Sequence, residues 1–154
     1  MQWILKEYNH LSLDEFYDIL QLRIDVFIVE QNCPYPELDG KDKSAFHFFC
    51  RNKNAKIIAY TRIFKPGAYY IEAAFGRVVV HPDFRNQKLG YVLLDKTIST
   101  IENLFGTVSI KIGAQTYLRK FYESVGFQQV GNAYIEDGIP HIHMLATSKK
   151  QYVK

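Results

Sequence analysis

The sequence predicts one α/β (α+β) domain of seven strands and three helices. Two observations carry this reading. Short β-branched and aromatic runs alternate with stretches whose apolar residues recur at helical spacing, and turn signals separate them. A length of 154 residues is that of a single domain, 1–154, able to bury a core without disulfides or metals. An apolar share of 47% and a charged share of 23% exclude disorder and coiled coil.

Each element has its own signal. "QWILKEY" alternates weakly, as a first strand with Trp3 and Leu5 on one face. Ser12, ahead of Asp14 and Glu15, reads as the N-cap of a helix ending near Glu30, in which Leu13, Phe16, Ile19/Leu20, Ile24 and Phe27 repeat at helical spacing. Two prolines and a glycine make "NCPYPELDGKDK" a loop. "AFHFFC" and "KIIAYTRIFK", separated by "RNKNA", form a hairpin. "YYIEAAFGRVVVH" is a further strand, and Gly76 inside it points to a bulge or a close backbone approach. Leu94, Ile98, Ile101 and Phe105 mark a helical face from about Leu89 to Leu104. "VSIKIGA" is a strand, "TYLRKFYESV" a short helix stopped by Gly126, and "FQQVGNAYIE" and "PHIHMLA" are strands joined at "DG". The order is β-α-β-β-β-α-β-α-β-β.

Several function classes drop out. The net charge of +3 is spread thinly among acidic clusters such as "PELDGKD", so nucleic acid is not the expected partner. No apolar run approaches the roughly 18 to 20 residues of a bilayer span, and "MQWILKEYNH" has neither a basic start nor a long apolar stretch. A soluble cytoplasmic protein without membrane partners is expected. Cys33 and Cys50 lack CxxC spacing; His141 and His143 share a strand face, which permits a metal without requiring one, and no metal is expected.

"VHPDFRNQKLGYVLL" feeds a strand into a helix through a polar turn. The first amides of such a helix have no intrahelical partner, and with the helix dipole they favour a negative ligand. Arg85 and Lys88 add positive charge, and Gly90 permits close backbone approach. The turn matches neither GxxxxGK[ST] nor GxGxxG, which disfavours ATP and NAD.

Taken with its neighbours, "VVVHPDFRNQKLGYVLL" resembles motif A of the GNAT acyltransferase superfamily, whose turn reads R/Q-x-x-G-x-G/A. Arg85 and Gly90 match, and Lys88 stands at the first glycine. "YLRKFYESVGF" resembles the second signature, a short helix with a tyrosine before Gly-Phe, and Gln115 falls where asparagine is usual. "LRIDVFIVEQNCPYPELDG", "IGAQTYLRKFYESVGF" and "EDGIPHIHM" narrow the likeness to the ElaA-type branch. It implies a mixed, mostly antiparallel sheet with a bulged central strand, and acetyl-CoA as acyl donor. The backbones of Val78, Val79 and Val80 would hold the pantetheine arm, and the amides of Asn86, Gln87, Lys88, Leu89, Gly90 and Tyr91, with Arg85 and Gln115, the rest of the cofactor.

The resemblance also implies transfer to a small-molecule or peptide amine. An amine of pKa about 10.4 costs about 4 to 5 kcal/mol to deprotonate at pH 7, and the departing thiolate needs a proton or a hydrogen bond. Tyr122 matches the family's acid. Glu72, read as the carboxylate of the central strand, and His141 are the candidate bases, and Glu30, Gln31 and Asp39 the acceptor mouth. Covalent transfer through Cys33 finds no adjacent His or Lys to activate the thiol. Two alternatives remain: a longer-chain donor, as in acyl-homoserine-lactone synthases, which "LRIDVF", Asp39, Asp42 and Arg62 loosely resemble, or an acyl-CoA sensor without turnover. A monomer or homodimer is expected, since edge strands could pair.

Overall fold

The computed structural model describes residues 1–148. The strands are β1 (Gln2–Glu7), β2 (Phe46–Arg51), β3 (Ile57–Phe64), β4 (Ala73–Val80), β5 (Ser109–Gln115), β6 (Gln128–Glu136) and β7 (Ile139–Thr147); the helices are α1 (Leu13–Ile24), α2 (Leu89–Phe105) and α3 (Arg119–Glu123). The order of elements along the chain is the one the sequence predicts. All seven strands join one sheet in the order β1-β2-β3-β4-β5-β7-β6. The β1–β2, β2–β3, β5–β7 and β6–β7 pairs are antiparallel. β4 and β5 run parallel, and their ladder contains only Ala73 with Ile110 and Ala74 with Lys111.

Two compact units divide the chain: Met1–Ile63 with Arg77–Leu93, and Phe64–Gly76 with everything from Leu94. The boundary falls inside β4, where Arg77 adopts φ 52°. The irregularity expected at Gly76 therefore sits one residue later, and a side chain at Gly76 would meet nothing within 4 Å, so no close approach explains that glycine.

The first unit is built on α1. Ser12 accepts from the Glu15 amide at 3.0 Å while the Glu15 carboxylate accepts from the Ser12 amide at 2.9 Å, a reciprocal cap that satisfies two orphan donors. The buried stripe is Glu15, Ile19, Leu22 and Arg23. The expected stripe began at Leu13, which is 90% exposed. α1 carries apolar residues on all sides, and the ion pairs of Glu15 and Arg23 decide which side faces inward. Ile19, Leu22 and Val26 pack with Phe49, Ile57, Tyr60 and Val79, and Ile4, Leu11 and Phe27 close the edge. Each such buried apolar side chain stabilises by roughly 1.5 to 3 kcal/mol. In β1 it is therefore Ile4 that reaches the core, while Trp3 stacks on Phe48 at 5.4 Å between ring centroids. Past Ile24 the helix widens into a π-helical turn, Asp25–Glu30.

The second unit alternates cleanly. Ile110, Ile112 and Ala114 of β5 and Ile142 and Met144 of β7 are buried. Lys111, Gly113 and Gln115, and His141 and His143, occupy the opposite sheet face, since side chains alternate along a strand. Asp137 (φ 50°) and Gly138 (φ 75°) make the tight β6–β7 turn, whose two left-handed residues match the strand twist. Gly126, at φ 101°, ends α3.

Candidate active site

The strand-to-helix segment of the first unit is a 3-10 turn, Pro82–Gln87, entered through His81, whose Nδ1 accepts from the Asp83 amide at 3.2 Å. Lys88 then takes φ 55° and ψ 23°, the left-handed conformation. A residue with a Cβ pays about 1 to 2 kcal/mol there, which is why a glycine suits this position. α2 starts directly afterwards, with Leu89 buried and Gly90 in its first turn. The Tyr91 amide donates to the Lys88 carbonyl at 3.2 Å, so it is not among the free amides expected from Asn86 to Tyr91. Asn86, Gln87 and Lys88 are exposed.

Arg85 is engaged on both sides. Its guanidinium meets Glu30 through two bonds of 2.5 and 2.7 Å, and its Nε donates to the Val80 carbonyl at 3.2 Å. Hydrogen bonding from Arg85, against a smaller effect of burial, holds the Glu30 carboxyl below its usual range. Glu30 ends the π-helical turn and Gln31 follows it. Val78 and Val80 are half-buried and Val79 lies in the core.

The same unit holds a buried charge network. Arg23, fully buried, donates to Glu37 at 2.6 Å and Asp42 at 2.7 Å. Arg62 forks onto Asp39 at 2.9 and 2.8 Å and reaches Asp42 at 3.2 Å. Arg77 adds a bond to Glu37 at 3.0 Å, and the Tyr35 hydroxyl donates to the same carboxylate. Burial pushes the Asp39 and Asp42 carboxyls up, and the guanidinium hydrogen bonds and charges overcome it, holding both below the usual range. His47, buried, donates from Nε2 to the Asp42 carbonyl at 2.9 Å and accepts the Tyr60 hydroxyl at 2.7 Å; burial keeps it neutral by lowering its pKa. Asp39, expected at an acceptor mouth, is thus bound to Arg62, with its second role the turn bond from the Lys41 amide at 3.0 Å. Cys33 is half-buried.

In the second unit Tyr122 is 6% exposed, its ring edge-on to Phe127 at 6.1 Å. Its hydroxyl has no hydrogen-bond partner among the described residues. Burial, with the nearby Tyr117, pushes this phenol well above its usual range. Glu72 does not lie on the central strand: it precedes Ala73 in a bend, because β4 pairing begins only there. His141 donates from Nδ1 to the Ile139 carbonyl at 2.7 Å and faces Glu136 at 3.5 Å. Gln115 lies opposite His141 across the β5–β7 ladder. Among the described residues no group of three or more His, Cys, Asp or Glu side chains could hold a metal ion.

Sequence reasoning missed a second polar group on this face. His143 stacks on Tyr134 at 4.6 Å and meets Tyr70 edge-on at 5.8 Å. Lys111 Nζ sits 4.9 Å from the centre of the Tyr70 ring. The alternation of His141 and His143 was the available signal, and it does not tell the two rings apart.

The profile of the acetyltransferase (GNAT) domain family matches residues 17–148. The chain belongs to the GNAT acetyltransferase family. Protein ElaA of Escherichia coli is 39% identical over 94% of this chain and 95% of its own length, and its crystal structure superimposes with a TM-score of 0.86. An acyl-CoA N-acyltransferase from Pseudomonas aeruginosa is 35% identical, with a TM-score of 0.89 over 95% of this chain and 99% of that one. An aminoglycoside 6'-N-acetyltransferase complexed with coenzyme A shares the fold, with a TM-score of 0.70 at 14% identity over 96% of this chain and 98% of that one. This GNAT chain is an acyltransferase with a mixed, mostly antiparallel sheet.

Proposed function

We propose that residues 1–154 act as one domain that moves acetyl from acetyl-CoA directly to a small-molecule or peptide amine. The observation that carries this is Tyr122: a buried ring at the family's acid position whose hydroxyl the fold leaves unused. The hydroxyl is left without a protein partner on an otherwise buried ring, so it is placed to donate to a ligand atom. The thiolate of CoA, the conjugate base of a thiol of pKa about 8.5, is a weaker base than this phenolate. Tyr122 therefore first stabilises the departing thiolate by its hydrogen bond, and its proton crosses to sulfur as the nitrogen of the new amide gives its own proton to Tyr122.

The amides that open α2, Lys88 and Arg85 hold the diphosphate, and the backbones of Val78 to Val80 the pantetheine arm, with Gln115 on the cofactor side. Glu30, Gln31 and Asp39 serve acceptor binding, and His141 and Glu72 are the candidate bases. The enzyme acts in the cytoplasm as a monomer or homodimer without nucleic acid; no described helix is long and apolar enough to cross a membrane.

An acceptor panel with acetyl-CoA, read by release of free CoA, tests the reading. Turnover with amines and none with alcohols or water supports it; no amine-dependent release in a folded, CoA-binding sample overturns it. Mass spectrometry without acceptor checks directness, because a stoichiometric acetyl adduct on Cys33, chased by amine, would replace direct transfer by a covalent route.

A further inference from the structure

The polar groups around Gly113 in the second unit form a cluster that the roles above do not use. Gly113 pairs with His143 across the β5–β7 ladder. A Cβ placed on Gly113 would lie 2.8 Å from the Tyr134 hydroxyl and 3.7 Å from the Tyr70 hydroxyl, so both phenols converge on the bare backbone of this one residue. The imidazole of His143 stands beside them, stacked on Tyr134 and edge-on to Tyr70. None of the three has a hydrogen-bond partner for its side chain among the described residues. His141 differs, since its Nδ1 is held by the Ile139 carbonyl at 2.7 Å and its other nitrogen faces Glu136. The fold has gathered three polar ends at one place, used none of them, and kept a glycine beneath.

We infer that this cluster is the subsite for the acceptor's amino group, a primary ammonium that is held by the Tyr134 and Tyr70 hydroxyls and gives its proton to His143. The inference deepens the amine-acetylation reading and rests on it. A primary ammonium carries three N–H donors, and the cluster offers three acceptors: two phenol oxygens and one imidazole nitrogen. Both phenols stay protonated, because burial raises them, Tyr134 up to about 12 and Tyr70 beyond the usual range, with Tyr69, Glu72 and Glu136 adding to the effect. They therefore hold the amine without competing for its proton. Burial and then Lys111 lower the pKa of His143, against an opposing pull from Glu136, so the ring is neutral and able to accept at pH 7. Lys111, whose ammonium lies over the Tyr70 ring, makes a second positive charge unfavourable and so also lowers the pKa of an amine bound beside it. This like charge works against the deprotonation cost, which is about 4 to 5 kcal/mol for a free alkylamine.

The groups that act on His143 are Lys111 on β5, Tyr134 and Glu136 on β6 and Tyr70 in the segment before β4, with Glu72 acting on Tyr70 and His141 on the same strand face. In the reaction the ammonium passes one proton to His143, and the free amine attacks the thioester carbonyl. The C–N bond forms, the C–S bond breaks, and sulfur takes the proton of Tyr122. The second proton lost by nitrogen restores Tyr122, and His143 releases its own to water, leaving amide, free thiol and one proton.

The test uses the whole chain with CoA present, so that an ordered addition cannot hide binding. Butylammonium should shift the His143 imidazole resonances, while N,N,N-trimethylbutylammonium, which has no N–H, should do so at least tenfold more weakly. Equal shifts would mean a cation cage, and no shift from either would mean no amine subsite; both overturn the proposal. Tyr134→Phe and Tyr70→Phe keep their rings and should each weaken butylammonium binding by about tenfold. With the best acceptor, kcat/KM of the wild type should level off above a midpoint below pH 6.5, whereas His143→Gln should climb steadily toward the amine's own pKa of about 10.4. A retained plateau in a folded His143→Gln protein overturns the role of His143. If wild type acetylates no amine, the transfer reading fails on its own, and the resonance shifts still decide the subsite.

Discussion

Two polar clusters of similar size lie in the two units, and they are finished in opposite ways. Around Arg23, Asp39, Asp42 and Glu37 every carboxylate accepts from a guanidinium, and His47 uses both ring nitrogens. Around Gly113 the Tyr70, Tyr134 and His143 side chains make ring contacts only, and Tyr122 nearby in sequence is treated the same way. Burying a satisfied network fixes a loop; half-buried polar ends without protein partners stay open to water or to a ligand. The first cluster holds structure, and the second is the one proposed to take a ligand. Charge count alone would have suggested the reverse.

The comparison breaks most directly at Arg23. Arg23→Met should destabilise the fold by about 3 to 5 kcal/mol, because Glu37 and Asp42 would stay buried with fewer partners. Urea unfolding measures it, and a loss below 1 kcal/mol would mean that the network is not a clamp. Next comes Tyr122→Phe, which removes only an unpartnered hydroxyl. Stability and CoA affinity should hardly change while kcat falls about 10²-fold, the low end for a positioned acid because a thiolate is already a fair leaving group. Near wild-type turnover would return Tyr122 to the core.

Acid should separate the clusters as well. The folded-state pKa values of Asp39, Asp42 and Glu15 are depressed, so their stabilisation is full above the ordinary carboxylate range and is lost as pH falls through the folded values. His47, also lowered, loses its contribution in the same direction, below about pH 6.5. The urea midpoint should therefore start to fall below about pH 6.5 through His47 and fall further below about pH 4 through the carboxylates, and Arg23→Met should flatten the second fall. The smallest effect is expected at Lys88, where Lys88→Gly relieves the left-handed backbone and should raise stability by about 1 kcal/mol while weakening CoA binding through the lost charge. Unchanged stability would show that the strain is already absorbed by the turn.

The element order was legible because the punctuation was local. Asp137-Gly138 and Gly126 signal their turns through the backbone conformations they permit, and Ser12 with Glu15 announces its helix start. The inward face of α1 was not legible, because apolar residues surround that helix and the deciding partners, Glu37 and Asp42, come from a loop that pattern cannot place. The left-handed turn at Lys88 was readable only through the family motif, since no side-chain rule predicts a lysine there. Tyr122 could be found from its motif, but the difference between His141 and His143 depends on rings from β6 and from the segment before β4. Only their tertiary placement shows which imidazole is free.

The threading of β7 between β5 and β6 has a consequence for biogenesis. β5 meets β7 along seven consecutive positions, Ser109 with Thr147 through Gln115 with His141. A ribosome delivers β5 and β6 first, so until residues 139–147 emerge β5 offers an open ladder edge to any other nascent strand. β7 closes the sheet's interior although β6 is made before it, so the vulnerable interval for misassembly spans the synthesis of β6 and of the turn that follows it.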